Sequence, residues 1–162
     1  MTNTRRCATA VAVAAFAATA VAAAPTANAD NRRLNDGVVA NVYTVQHKAG
    51  CDTEIKINPK LRLAAQWHTN DVLNNRALNG DIGSDGTTVA DRARNAGYAG
   101  PVAETVAINP ALAISGIEIM NNWYYRPDYM AIMSNCANSQ MGVWSVNSLD
   151  RTVVVAVYGQ PG

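Results

Sequence analysis

The stretch from Gly83 to Tyr98, followed by Val102-Ala-Glu-Thr-Val-Ala107, is where residue types and spacing could do chemistry. A polar turn, Gly83-Ser-Asp-Gly86, leads into a short helical piece that Gly97 ends, and an apolar run then carries a single carboxylate, Glu104. That is the pattern of a loop delivering an acid into a cleft. Ser84 is an ordinary loop residue, because no Ser-His-Asp order with nucleophile-elbow glycines surrounds it. His47 and His68 belong to helix faces directed away from the loop. A lone histidine on an apolar stripe, as His68 is, is expected to be hydrogen-bonded and structural.

The other reactive side chains are cysteines. Cys7 lies in the leader described next, which leaves Cys51 and Cys136, an even number in an oxidising compartment. One disulfide is expected, with two free buried thiols as the alternative. The bridge would close a loop of about 85 residues, worth on the order of 4.5 kcal/mol in the chain-entropy treatment. Neither cysteine has a Cys or His neighbour at ligand spacing, which argues against a zinc site.

The chain opens with Arg5 and Arg6, an Ala/Val run from Ala8 to Ala24, and the small-residue pattern Ala27-Asn28-Ala29. This reads as a secretory signal peptide over residues 1–29, cut before Asp30. The apolar run is only about 15 residues, short of the roughly 20 that span a bilayer, so no transmembrane anchor is expected. Arg5-Arg6 leaves both the general and the twin-arginine export routes open. Residues 30–162 make one domain, too short for two cores. The two leader arginines depart from 13 basic residues set against 12 acidic ones, so the mature chain is near neutral. With no basic run, nothing electrostatic favours nucleic acid.

The elements that must position these side chains follow from periodicity. Leu34, Val38, Val39, Val42 and Val45 mark a helix from Asp30 to about Lys48, stopped by Ala49-Gly50. An extended piece, Glu54–Ile57, precedes Asn58, a cap for a helix starting at Pro59 and running to about Asn75. Leu61, Ala64, Ala65, His68 and Val72 share its stripe. Residues 76–86 form a loop. Thr87 or Thr88 caps a short helix ended by Gly97, and Val102–Ile108 is extended. Asn109-Pro110 repeats the cap-plus-proline start, predicting a helix through Leu112, Ile114, Ile117, Ile119 and Met120 toward Trp123, which Gly116 would weaken. A further short helix carries Met130, Ile132 and Met133. The strands Gln140–Val146 and Thr152–Tyr158 form an antiparallel hairpin around a turn at Asn147–Arg151.

Five stretches taken together resemble the CAP superfamily, the secreted domain of cysteine-rich secretory proteins, insect venom antigen 5 and plant pathogenesis-related 1 proteins, and its bacterial branch in particular. They are Ala64-Ala-Gln-Trp-His68; Gly83–Gly86 with Arg92 and Gly97-Tyr98; Ala103-Glu-Thr-Val-Ala107; Trp123 with Pro127; and Met141-Gly-Val143. Cys51 and Cys136 also sit where similar actinobacterial domains place a cysteine pair. The resemblance implies an α+β fold, a three-layer α-β-α sandwich with a central antiparallel sheet. It also implies a cleft lined by two histidines and one or two glutamates, which hold a divalent metal in some members.

Here the position of the first histidine is Asp81, that of the second is Tyr129 and that of the second glutamate is Arg126, while Glu104 is retained. Two carboxylates and a phenol are a poor set for Zn²⁺, so no metal and no cofactor is expected, a weak Mg²⁺ or Ca²⁺ site at Asp81 and Glu104 being the alternative. Without a cation, neighbouring carboxylates raise one pKa between them, or Arg126 or Arg92 neutralises the pair.

The expectation is therefore a secreted, extracellular, non-enzymatic domain that binds a lipid, a cell-wall component or a protein through an altered cleft of Asp81, Glu104, Tyr129 and Arg126. Some members of the resembled family bind sterols or fatty acids, and the segment Met120–Met133 is rich in Met and Tyr. The alternative is a hydrolase using Asp81 and Glu104 as acid and base, and a third reading is an interaction protein with no small-molecule site. An open groove reaching Asp81, Glu104 and Tyr129 would favour a ligand there. A cleft plugged by Tyr129 and Arg126 would favour recognition elsewhere on the surface.

Overall fold

The structure, a computed structural model, describes residues 26–162, with side chains from Asn31 onward. Residues 1–25 of the expected leader lie outside the described residues. Helix α1 spans Thr26–Lys48, beginning four residues before the expected Asp30, and turns Val38, Val42 and Val45 inward. Strand β1, Lys56–Ile57, leads into α2, Pro59–Asn74. Asn58 caps α2 as its sequence predicts, its side-chain oxygen accepting from the Lys60 and Leu61 amides. Helix α3, Val89–Asn95, is capped by Thr88 in a reciprocal box with Asp91, and Gly97 at φ +85° ends it.

Strand β2, Val102–Asn109, is followed by α4, Gly116–Tyr124, α5, Pro127–Met133, β3, Gln140–Ser148, and β4, Arg151–Gly159. The sheet order is β1-β3-β4-β2. Strands β2, β4 and β3 pair antiparallel as expected, whereas the two residues of β1 join β3 in parallel at the edge. The hairpin is tighter than its sequence predicts, since Ser148 pairs with Arg151 and only Leu149-Asp150 turn.

Strand β4 shows how the layers are made. Every one of its residues is buried, and the two-residue period of a strand divides them. Val153, Val155 and Val157 join the core beneath α2 and α3, while Val154, Ala156 and Tyr158 join the core beneath α1, α4 and α5. Helices thus cover both faces, the three-layer α-β-α arrangement. Helix α2 lies so close to β3 that a side-chain carbon at Gly142 would fall 2.0 Å from the Arg62 amide nitrogen, so only glycine fits there. Cys51 and Cys136 are disulfide-bonded, Cα to Cα 5.2 Å, tying the exit of α1 to the connection between α5 and β3.

The start of α4 departs from expectation. Asn109 remains in β2, paired with Thr152, and its amide nitrogen donates to the Ala113 carbonyl instead of capping a helix. Ser115 is the cap, in a reciprocal box with Glu118, so the helix begins at Gly116, where a glycine carries no interior penalty. Leu112, expected within this helix, precedes it and is exposed, as is Ile117, and Ile119 and Trp123 are the buried face of α4.

Candidate functional site

Glu104 lies two residues from Val106 on β2, so its side chain enters the layer beneath α2 and α3. It is 3 % exposed. One guanidinium nitrogen of Arg92, Nη2, donates to its Oε1 in a short contact and also to the Asp81 carbonyl at 2.9 Å. Nη1 of Arg92 donates to the Thr87 carbonyl at 2.7 Å. Arg92 is itself 4 % exposed, so α3 inserts a buried cation that holds the loop 81–87 and the carboxylate together.

His68 completes the cluster from α2. Its Nε2 lies 3.0 Å from the Gly80 carbonyl, to which it donates, and 3.8 Å from Glu104 Oε1. His68 was expected to face away from the loop, yet it holds the loop's carbonyl. The reason is that the chain from Asn75 to Gly80 returns over the end of α2, a course set by tertiary packing and not by helix period. Burial, then the nearby Arg92 charge, lowers the His68 pKa, so the ring is neutral at pH 7. Burial pushes Glu104 up to about 8; Arg92 pulls against that rise and the Asp81 charge adds to it. Glu104 Oε2, His68 Nδ1 and Arg92 Nε are buried without a hydrogen-bond partner.

Asp81 is exposed, and its charge adds to the raised pKa of Glu104 and Tyr129 while only opposing the net lowering at His68. Tyr129 on α5 is buried, edge-on to Trp123 with ring centroids 6.5 Å apart. Burial foremost, then Asp81, raises its phenol pKa, opposed by the Val106 backbone. Trp123 Nε1 donates to the Val106 carbonyl at 3.1 Å, so the aromatic pair covers the free edge of β2. The Arg126 guanidinium lies over the Tyr129 ring, 3.5 Å from its centroid, and pairs with Asp128 at 2.5 Å.

Asp81 thus sits between two separated groups, Glu104 with Arg92 and His68 on one side and Tyr129 under Arg126 on the other. A general acid or base must reach the proton it transfers. The Glu104 oxygen that is bonded faces Arg92, and its other oxygen is buried. Among the described residues, no three His, Cys, Asp or Glu side chains converge on a common point. Sequence reasoning named Arg92 within the resemblance and as one of two possible neutralisers, and left His68 out of the site. A buried-stripe histidine together with an arginine after a helix cap was the available signal.

A groove of about 400 Å³ lies on the opposite face of the sheet, between α1, α4 and α5. Val45 of α1, Ala49 just after it, Met120 and Tyr124 of α4 and Met130 of α5 form its walls, with Lys48 at the rim. Met133, three residues on, is fully buried in the core. Among the described residues, no helix is long and apolar enough to cross a membrane.

No family model matches the chain, and no curated protein matches it in sequence. Solved structures do match. An outer surface protein of Borrelia burgdorferi superposes with a TM-score of 0.71 at 16 % identity, covering 82 % of this chain and 96 % of that one. An extracellular protein of Bacillus anthracis containing an SCP domain gives 0.63 at 12 % identity, covering 85 % of this chain and 45 % of its own. A cysteine-rich secretory protein of Staphylococcus aureus gives 0.62 at 11 % identity, covering 80 % and 39 %. The chain therefore spans less than half of those two proteins. At these identities the likeness establishes the fold, and the fold is CAP-like, in agreement with the sequence resemblance.

Proposed function

We propose that residues 30–162 form a secreted, non-catalytic binding domain that takes an acyl chain in the groove between α1, α4 and α5. The observation carrying this reading is the groove itself. Its walls combine two half-buried methionines, whose unbranched thioethers adapt to irregular apolar guests, with an exposed tyrosine and a lysine at the rim for a charged headgroup. The expected leader and the disulfide support an extracellular setting.

A hydrolase using Asp81 and Glu104 is the competing reading, and one observation favours it: a carboxyl raised to about 8 is protonated at neutral pH, as a general acid must be. Burial under Arg92 weighs against it, because substrate would have to displace a bonded guanidinium. The disulfide-intact chain, titrated with a fluorescent long-chain fatty acid, is expected to bind it saturably. Met120→Asp, which places a charge in the groove wall, should abolish the signal, while Glu104→Gln should leave it intact. Absence of saturable binding by the wild type would sink the acyl reading. Ester or glycoside hydrolysis lost on Asp81→Ala or Glu104→Gln would replace it with the hydrolase.

A further inference from the structure

A second pocket lies on the other face of the sheet, where α2, the loop 81–87 and α3 meet. Its volume is about 220 Å³, room for one sugar ring and not for a chain. Trp67 and His68 on α2, Thr87 in the loop and Arg92 and Asn95 on α3 contribute to its lining, together with the carboxylates of Asp71 and Asp85. Trp67 is 41 % exposed, an indole left at the surface among polar neighbours.

The polar wall is built, not incidental. Asp71 accepts the Ser84 amide at 2.7 Å and its hydroxyl at 2.6 Å, and Asp85 accepts the Thr87 amide at 2.9 Å and its hydroxyl at 2.7 Å. Gly83 lies inside this ring of oxygens. A side-chain carbon there would fall 2.8 Å from both Asp85 Oδ1 and Thr87 Oγ1, so any larger residue would have to displace these side chains. Two side chains of the lining are almost fully buried and hold unpartnered nitrogens, His68 Nδ1 and Arg92 Nε, at 0 % and 4 % residue exposure. Buried polar atoms are nearly always hydrogen-bonded, to protein, water or ligand. Both nitrogens are closed off from solvent, so the polar groups a guest can reach in this wall are those of Asp85, Thr87 and Asn95.

We propose that this pocket binds a neutral pyranose residue, with the ring's C–H face laid on Trp67 and its hydroxyls bonded by Asp85, Thr87 and Asn95. The chemistry of the wall selects that class. An aromatic face suits an apolar ring face, and mixed carboxylate, hydroxyl and amide groups suit a ligand whose hydroxyls both donate and accept. Asp71 and Asp85 repel sugar acids and phosphates, and Nη1 and Nη2 of Arg92 already donate to Thr87, Asp81 and Glu104. An acyl chain is excluded by size and polarity. The pocket and the acyl groove lie on opposite faces of the sheet, so each stands or falls without the other.

The test uses the intact disulfide-bonded chain and four probes: methyl α-glucoside, methyl α-mannoside, methyl β-galactoside and N-acetylglucosamine. Saturation-transfer NMR on at least one of them should show transfer concentrated on ring C–H protons. Trp67→Ala should weaken that binding about tenfold or more, Trp67→Phe should retain most of it, and Met120→Asp should leave it unchanged. Trp67 is exposed enough for its variants to fold, which far-ultraviolet circular dichroism checks. No transfer to any probe with the wild type would overturn the proposal, and so would equal binding by wild type and Trp67→Ala.

Discussion

The two faces of the sheet solve different problems. Beneath α2 and α3 the core admits ionisable groups, Glu104, Arg92 and His68, and fixes each with a directed contact. Beneath α1, α4 and α5 the core is aliphatic and aromatic, and its arginine, Arg126, stays outside on the Tyr129 ring. The first face spends its polar side chains on holding a loop. The second leaves a groove whose walls are free to adjust. An ionisable group inside a protein is thus a poor sign of reactivity when its partner is another buried ionisable group. Open space next to flexible apolar side chains is the better sign of binding.

Removing the cation from each face is the sharpest way to break that comparison. Arg92→Ala leaves a buried carboxyl without its partner and frees the Thr87 and Asp81 carbonyls. A loss of about 3–5 kcal/mol in urea unfolding is expected, because three acceptors lose their donor at once. A loss below about 1 kcal/mol would mean that the cluster is more hydrated than its burial implies.

The second expectation concerns pH. Glu104 holds its proton to about 8 in the folded chain, against an ordinary value of 4.5. Between these values the folded state binds more protons than the unfolded one, so this group's contribution to stability falls as pH rises from 4.5 to about 8 and is level above. Glu104→Gln cannot titrate. The stability of wild type relative to Glu104→Gln should therefore decline across that window, by at most about 1.4 kcal/mol per pH unit. His68 acts in the opposite sense, because its lowered pKa makes the folded state weaker below 6.5, and it is present in both proteins. A flat difference from pH 5 to 8 would show that Arg92 keeps Glu104 ionised throughout.

The smallest effect belongs to the second face. Arg126→Ala removes an exposed ion pair with Asp128 and the guanidinium above Tyr129. A change within about 1 kcal/mol is expected by the same urea measurement. If it matched Arg92→Ala, the two arginines would not differ in kind and the contrast between faces would fail.

The same division governs what can be read from the chain. The stripe Leu61–Val72, the β-branched run of β4 and the Asn58 cap follow from local rules, and each lies where those rules put it. Asn109-Pro110 has the same appearance as Asn58-Pro59 but a different outcome, because the pairing of β2 with β4 continues through Asn109 and claims its backbone. Local signals cannot see a strand partner more than 40 residues away. Glu104 stood out as a lone acid in an apolar run. Its partners did not, since Arg92 and His68 reach it only through the placement of α3 and α2 on the sheet and the return of the loop at Gly80.

The bridge between Cys51 and Cys136 lies two residues beyond Ala49, a wall of the groove, and fastens α1 to the chain leaving α5. In a reducing compartment the 85-residue loop between those cysteines stays unclosed, and the native state forgoes on the order of 4.5 kcal/mol that closure contributes in the chain-entropy treatment. The chain is then least able to hold a finished groove where thiols are kept reduced, and best able to do so where they oxidise. The proposed capture of a guest by this layer would then be coupled through one covalent bond to the redox potential of its surroundings, and the compartment itself would act as an effector.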